Sequence, residues 1–229
     1  TNNIINSKTI VEIQRYYCQI LTDESITWLQ NHNSQEAPFF LYVPFHEPHA
    51  KIASPPELVE KYKQFPPKDA EYLANIENLD LATGKILDYL AEKKLIDNTI
   101  ILFASDNGSY RKASNGDLRA VKSYVYDGGI RVPGIFHYPK LQNKKGMVID
   151  QLAGFVDVLP TICDILNIEN PTDKKLSGTS ILNLIKGENF VREHPLFWFF
   201  YRTSPEIAVR KNEYMILGKD NDTIPKTHQ

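Results

Sequence analysis

The sequence predicts an α/β fold in which a parallel sheet carries helices on both faces and a small antiparallel sheet follows at the carboxyl-terminal end. Short apolar runs rich in β-branched and aromatic residues alternate with longer amphipathic stretches at helical spacing. Polar side chains directly follow these runs, which is typical of parallel strands whose carboxyl ends face a ligand site. Beyond residue 194 the runs are short and separated by turn residues, which indicates the antiparallel sheet.

The first hundred residues are predicted to contain one short helix, one strand and one long helix. Thr22 is a capping residue followed by two acids, so we expect the short helix to begin there. Phe39–Val43 has the composition of a strand buried in a sheet, and residues 50–68 hold four prolines in an excursion over its edge. The long helix is predicted from about Asp69 to Lys94. Its predicted apolar face is formed by Leu73, Ile76, Leu79, Ile86, Leu87 and Leu90.

The rest of the chain continues the alternation of strands and helices. We predict a buried strand at Thr99–Ser105, a polar loop from Gly108 to Gly129 and a strand near Gly134–Tyr138. Two helices and three strands complete the prediction, at Phe155–Ile168, Ser180–Lys186, Leu196–Tyr201, Ile207–Arg210 and Tyr214–Leu217. We therefore divide the chain into residues 1–175, the α/β part, and residues 176–229, the antiparallel subdomain.

Composition argues against two classes of partner. The 229 residues carry a formal net charge of −2, whereas a nucleic-acid-binding surface needs an excess of Lys and Arg. No apolar run approaches the roughly 20 residues that a membrane-spanning helix needs. The two cysteines, Cys18 and Cys163, form no Cys-x-x-Cys pair and no cluster with zinc-ligand spacing. Because the chain begins at Thr1 with neither Met nor a signal-peptide pattern, we expect a fragment or a processed product.

Asp106 and Asn107 are candidate ligands for a metal ion. They directly follow the predicted strand Thr99–Ser105, at the edge where ligands bind in open α/β sheets. Their side-chain oxygens suit a hard divalent cation such as calcium or magnesium. Asp-Asn-Gly is also a strong turn former, so an ordinary turn remains the alternative interpretation of this motif alone.

Two histidines and a lysine are further candidates. His46 and His49 follow the predicted strand Phe39–Val43, and an imidazole can act as a general acid near neutral pH. Pro48 lies between them and breaks the helix on which zinc proteases place two histidines one turn apart. Lys122 alone would be an ordinary surface lysine, and only its spacing from the motif that follows it distinguishes it.

Taken in order, these motifs resemble the sulfatase family of the alkaline phosphatase superfamily. Phe40–His49 is similar to the family's strand that ends in Pro-His, and Ser105–Gly108 to its metal-binding Ser-Asp-Asn-Gly. Lys122 stands five residues before the acid of the run Tyr126–Pro133, as the family's active-site lysine does. The resemblance extends from about residue 21 nearly to the end and includes later segments at residues 157–161, 178–188 and 208–214.

The resemblance implies an alkaline-phosphatase-like sheet sandwich and hydrolysis of sulfate esters, either aryl sulfates or sulfated carbohydrates. Sulfatases use a formylglycine made from cysteine or serine, and one calcium ion that orients the sulfate. By resemblance, Asp106 and Asn107 are two calcium ligands, and Lys122 neutralises charge on the sulfate and the ester oxygen. His49 contacts the sulfate and helps to protonate the leaving oxygen, whereas His46 is a neighbour or substrate contact. The family suggests a periplasmic, extracellular or lysosomal location.

The chain also departs from the family pattern. The nucleophile motif Cys-x-Pro-Ser-Arg is absent, and the paired aspartates that complete the metal site would precede the matching region. We therefore expect the carboxyl-terminal part of a sulfatase, whose partner is the missing amino-terminal part of the same catalytic domain. Two ligands cannot hold calcium firmly, so we expect the 229 residues alone to be inactive. The alternatives are a related phosphodiesterase or phosphonate ester hydrolase, and a non-catalytic remnant that binds sulfated ligands through His49 and Lys122.

Overall fold

The computed structural model of the chain describes residues 2–6, 9–13, 15–32, 37–144, 146–171, 175–201 and 206–219. It divides into two compact units, residues 1–99 and residues 100–229. The functional division expected at residue 175 stays a prediction. Across the described ranges, the helices are too short or too polar to cross a membrane.

The first unit is largely helical. An antiparallel hairpin of β1 (Asn2–Asn6) and β2 (Thr9–Ile13), which the sequence pattern does not predict, precedes helix α1 (Tyr17–Asn31). Helices α2 (Pro56–Lys61) and α3 (Pro67–Glu92) follow, and both pack in this unit, α3 against α1 and α2 against α3. A 3₁₀ turn at residues 96–98 then leads to the end of the unit.

Helix α1 begins at Tyr17, so the prediction that Thr22 caps it is wrong. Thr22 lies inside α1, is fully buried, and donates a hydrogen bond from its Oγ1 to the carbonyl oxygen of Ala82 on α3, at 3.1 Å. A threonine hydroxyl can satisfy its hydrogen bond across a helix interface as well as at a cap. Sequence alone does not show which of these partners is present.

The long helix is confirmed, but its predicted buried face is only partly correct. Helix α3 spans Pro67–Glu92, and Ile86 and Leu90 are buried, whereas Ile76 is exposed. Small and amide residues occupy much of the buried face, which consists of Ala70, Tyr72, Ala74, Asn75, Asn78, Ala82, Ile86 and Leu90. The amide of Asn78 bonds to α1, because its Oδ1 accepts from Gln19 Nε2 at 3.0 Å. The neighbouring helix therefore selects a face that apolar periodicity does not identify.

The strand predicted at Phe39–Val43 is wrong. These five residues alternate in burial but have no regular secondary structure, and no described strand pairs with them. Phe40 and Tyr42 are 86% and 76% exposed. A strand is defined by hydrogen bonds to a neighbour, and a short apolar run cannot by itself supply that neighbour.

The second unit combines short helices with antiparallel strand pairs. Strands β3 (Ile101–Ala104) and β4 (Gly134–His137) pair with Leu102 opposite Phe136. The antiparallel sheet predicted near the carboxyl terminus is confirmed. It consists of β5 (Leu196–Phe200), β6 (Glu206–Lys211) and β7 (Tyr214–Lys219), in the order β5-β6-β7. The helices of this unit are α4 (Asp127–Ile130), α5 (Val158–Leu166) and α6 (Leu182–Ile185).

The predicted parallel sheet is not seen, because every strand pairing among the described residues is antiparallel. The positions of β3 and β4 agree with the prediction, but the burial of β3 does not. Leu102 and Phe103 are 42% and 37% exposed. A two-stranded ribbon cannot cover both of its own faces, so burial of this strand requires further strands or helices.

A buried ion pair joins distant parts of the second unit. Asp157, fully buried at the start of α5, accepts hydrogen bonds from the backbone N–H groups of Gly154 at 2.8 Å and Thr179 at 3.0 Å. Its third partner is the guanidinium of Arg192, which also donates from Nε to the carbonyl oxygen of Leu152 at 3.3 Å. Residues before and after position 175 are therefore held together through one carboxylate.

Candidate active site

The Asp106–Asn107 turn follows β3 and is packed against a second backbone segment. The N–H of Gly108 donates to the carbonyl oxygen of Gly129 at 2.9 Å. A Cβ atom at Gly108 would lie 1.9 Å from the carbonyl oxygen of Gly128, so a larger residue cannot fit without displacing the backbone. The turn is therefore fixed to the start of α4 by a contact that only glycine permits.

The metal-binding roles of Asp106 and Asn107 stay a prediction, and the structure shows how the two side chains are placed. The Asp106 carboxylate is exposed and accepts no hydrogen bond from any described residue, and Asn107 is half-buried. The Ser105 hydroxyl donates to the carbonyl oxygen of Asn107 at 2.9 Å, which holds the turn closed. The described residues contain no group of three or more His, Cys, Asp or Glu side chains that could hold a metal ion. Calcium takes about six to eight oxygens, so these two residues form at most part of a site.

Lys122 is anchored to the same turn through its backbone. Its N–H donates to the carbonyl oxygen of Ser109 at 3.0 Å, two residues after Asn107. Ala120 and Ser123, close to Lys122 on either side, have φ angles of +67° and +75°. Such angles are unfavourable for residues with a side chain and persist where the surrounding structure imposes them. The lysine backbone is thus held beside the candidate metal ligands in a strained loop.

Asp127, the acid of the motif that follows Lys122, already has a charged partner, whereas Asp106 has none among the described residues. Asp127 accepts a hydrogen bond from Arg210 on β6 at 2.9 Å, and both side chains are half-buried. Nearby, the guanidinium of Arg119 lies 4.0 Å from the ring centroid of Tyr126. These contacts tie the start of α4 to the antiparallel sheet and to the loop that carries Lys122.

His46 and His49 lie together in the first unit. Their ring centroids are 5.1 Å apart, and the N–H of His49 donates to the carbonyl oxygen of His46 at 2.9 Å. His49 Nδ1 lies 2.8 Å from the carbonyl oxygen of Ala50. A carbonyl only accepts, so Nδ1 carries the proton and Nε2 is left as the nitrogen that can exchange a proton with a ligand. Both rings are exposed, which leaves Nε2 accessible.

Glu47, which no sequence motif marks as functional, attaches this histidine loop to α1. Its Oε1 accepts the backbone N–H of Cys18 in the first turn of the helix, at 2.8 Å. A carboxylate is favoured there because the helix dipole is positive at its amino-terminal end. The second oxygen, Oε2, is buried without a hydrogen-bond partner among the described residues. An acid between two histidines is a sequence pattern that could have indicated Glu47. The sequence does not show that the partner of Glu47 is the N–H of Cys18.

Cys18 should report on this arrangement through its reactivity. Burial, with the Glu47 carboxylate adding to it, raises the pKa of the Cys18 thiol from 9.0 to about 12. We expect negligible iodoacetamide labelling of Cys18 in the native protein at pH 8, measured by peptide mass spectrometry, and faster labelling in Glu47→Gln. The unfolded thiol loses its proton near pH 9 and the folded thiol near pH 12, so the free energy of unfolding should fall between these values. Labelling of the native thiol as fast as that of the unfolded chain would contradict this assignment.

The structure thus brings Lys122 to the Asp106–Asn107 turn in one unit, and His46 to His49 in the other.

Comparison with known proteins identifies the family. The sulfatase family model matches residues 1–168, and the model described as N-sulphoglucosamine sulphohydrolase, C-terminal, matches residues 120–222. The chain belongs to the sulfatase family.

Individual relatives agree with this assignment. A sulfatase of Formosa agariphila is 31% identical over 204 residues, covering 81% of this chain and 37% of that protein. Human steryl-sulfatase is 29% identical over 202 residues, covering 84% of this chain and 33% of that protein. The crystal structure of Ps i-CgsB in complex with k-i-k-neocarrahexaose superposes with a TM-score of 0.84 at 28% identity, covering 94% of this chain and 48% of that one. The chain therefore spans about a third of the length of these curated relatives.

Proposed function

We propose that the protein containing this chain is a sulfuric ester hydrolase, with residues 1–175 forming the carboxyl-terminal part of its α/β catalytic domain and residues 176–229 a small antiparallel subdomain. The observation that carries this proposal is the backbone bond between Lys122 and Ser109, which anchors the Lys122 backbone two residues from the Asp106–Asn107 turn in a chain of the sulfatase family. Fixed positive charge near hard oxygen ligands suits an anionic substrate whose charge spreads in the transition state.

Asp106 and Asn107 would hold one calcium ion, together with oxygen donors from outside this chain. When bound, calcium would supply positive charge that orients the sulfate and stabilises its oxygens. Lys122 would neutralise the sulfate oxygens and the charge that develops on the ester oxygen. Its ammonium group has no hydrogen-bond partner among the described residues, so it is available for this role.

His49 would contact the sulfate and protonate the leaving oxygen. The bond from Nδ1–H to the Ala50 carbonyl oxygen leaves Nε2 to hold the transferable proton when the ring is charged. His46 would contact the substrate as a neighbour of His49. The nucleophile would come from the part of the catalytic domain that precedes this chain, since residues 1–229 contain no Cys-x-Pro-Ser-Arg motif.

We propose a sulfated carbohydrate as the substrate class. Support comes from Ps i-CgsB, whose crystal structure in complex with k-i-k-neocarrahexaose is 28% identical in sequence to this chain where the two align. An aryl sulfate is the simpler alternative within the same reaction. We further propose a periplasmic, extracellular or lysosomal location, as the family suggests.

Removal of Asp106 tests the proposal. In the full-length protein, we expect Asp106→Ala to weaken calcium binding at least about tenfold, since even groups that only support metal ligands contribute 10–100-fold. Hydrolysis of 4-nitrophenyl sulfate and of sulfated oligosaccharides should fall in parallel. Asp117→Ala is the matched control, because Asp117 is an exposed acid in the loop after the turn. Calcium binding is measured by calorimetry and turnover by released sulfate.

Other results, from this experiment and from assays of the full-length protein and the isolated chain, would contradict parts of the proposal. Unchanged calcium affinity in Asp106→Ala would remove Asp106 from the metal site. Hydrolysis of phosphate diesters or phosphonate esters in place of sulfate esters would favour the related hydrolases. Binding of sulfated ligands without turnover by the full-length protein would favour the non-catalytic remnant. Turnover of an aryl sulfate by the isolated 229 residues would show that they contain the whole active site.

A further inference from the structure

We propose that Asn115 is a positioning residue that holds the backbone of Lys122 beside the Asp106–Asn107 turn. The inference rests on the proposed function only for the role of Lys122. Asn115 ends a 3₁₀ turn at residues 112–115 inside the polar loop that follows the metal-ligand motif. Neither the resemblance nor the spacing of motifs assigns it a role.

The carboxamide of Asn115 bonds to one residue from both of its ends. Its Oδ1 accepts the backbone N–H of Ser109 at 2.9 Å, and its Nδ2 donates to the carbonyl oxygen of Ser109 at 2.8 Å. This pair of bonds has the pattern of two strand residues facing each other in an antiparallel ladder. Both the N–H and the C=O of Ser109 are therefore held by a single side chain.

The same side chain reaches the strained residue that comes shortly before Lys122. Nδ2 also lies 3.4 Å from the carbonyl oxygen of Ala120, whose φ angle is +67°. Left-handed backbone at a residue with a side chain is strained and persists only where other contacts impose it. The bonds of Asn115 are contacts of this kind.

Lys122 shares its anchor with Asn115. The carbonyl oxygen of Ser109 accepts both Asn115 Nδ2 and the N–H of Lys122, the latter at 3.0 Å, and a carbonyl has two lone pairs for these two donors. Ser109 stands two residues after Asn107, so the chain of bonds runs from Lys122 through Ser109 to the metal-ligand turn. Removal of the carboxamide should release Ser109 and, with it, the Lys122 backbone.

Only an amide can make all of these bonds. Asn115→Asp keeps an oxygen that can accept the Ser109 N–H but loses both donors, and it places a carboxylate against two carbonyl oxygens. Asn115→Ala removes every bond without adding charge. The two variants therefore separate the loss of the Asn115 hydrogen bonds from the electrostatic effect of a new charge. Asn183→Ala is the control, because Asn183 is an exposed asparagine on α6 in the same unit.

The experiment uses the full-length protein and has one readout that does not depend on activity. In Asn115→Ala, amide hydrogen exchange at Ser109 and Lys122 should accelerate at least about tenfold, whereas the amides of α5 should be unchanged. We expect kcat for 4-nitrophenyl sulfate to fall by about 10- to 100-fold, since a misplacement near 1 Å can cost 10²-fold, with a smaller change in KM. Asn183→Ala should match the parent protein in both measurements.

A double-mutant cycle distinguishes positioning of Lys122 from a general loss of structure. If Asn115 acts through Lys122, Asn115→Ala should lower kcat little further when Lys122→Ala is already present. Additive losses, or unchanged exchange at both amides, would overturn the proposal. If the parent protein has no sulfatase activity, the proposed function fails, and the exchange measurement still decides whether Asn115 holds Lys122.

Discussion

Lys122→Ala is expected to lower kcat/KM for sulfate ester hydrolysis by the full-length protein about 10²- to 10³-fold, the loss typical when a group that stabilises transition-state charge is removed. Lys122 is half-buried, and its ammonium group has no hydrogen-bond partner among the described residues. Its backbone is anchored at Ser109, so the charge is presented from a fixed point. Substitution should therefore remove catalytic stabilisation with little effect on folding.

Two further variants make this prediction sharp. Lys112→Ala removes an equal charge from the same loop, but the Lys112 ammonium donates to the carbonyl oxygen of Leu118, so we expect a small effect on turnover. Lys122→Arg keeps the charge but changes its shape and reach, and we expect a partial loss. Initial rates over a range of substrate concentrations give kcat and KM separately. Equal activity in Lys122→Ala and the parent protein would exclude Lys122 from the reaction.

Asp157→Asn is expected to be the most destabilising of these changes, lowering the free energy of unfolding by about 3–5 kcal/mol, as is found when one partner of a buried ion pair is removed. Asp157 is 0% exposed and Arg192 is 3% exposed. The variant leaves the guanidinium of Arg192 buried without a counter-charge. It also removes the charge from bonds with the backbone N–H groups of Gly154 and Thr179.

Urea unfolding of the full-length protein, followed by tryptophan fluorescence, measures this loss. Asp164→Asn is the control, because Asp164 is an exposed acid on the same helix, α5, and should cost little. Arg192→Met added to Asp157→Asn should recover part of the stability, since both charges are then absent. If Asp157→Asn unfolds at the same urea concentration as Asp164→Asn, the buried pair contributes little to stability.

Local patterns predicted the elements whose signal lies within a short stretch of chain. The sequence predicts the long helix close to its observed ends, Pro67 and Glu92, because apolar periodicity and terminal charges act over a few turns. Local patterns also predict the positions of β3 and β4. The antiparallel sheet near the carboxyl terminus was found because hairpin turns have local signatures.

Elements that depend on distant partners were not predicted. Thr22 has the side chain of a helix cap, but a carbonyl group on another helix takes its hydrogen bond. Phe39–Val43 has the composition of a strand, yet no described strand pairs with it. Asn78 is polar and nevertheless buried, because Gln19 and Cys18 on α1 bond to its amide. In each case the deciding atom is far away along the chain.

The sequence by itself determined the family and the candidate residues His46, His49, Asp106, Asn107 and Lys122, because motif order and spacing are properties of the chain alone. Their catalytic and metal-binding roles stay predictions. Only the tertiary structure decided what holds these residues: the bond from Cys18 of α1 to Glu47, the contact of Gly108 with Gly128, and the bonds of Asn115 and Lys122 to the same residue, Ser109. These contacts join residues separated by up to dozens of positions, and hydrogen bonding and close packing depend on distances in space that no local pattern specifies.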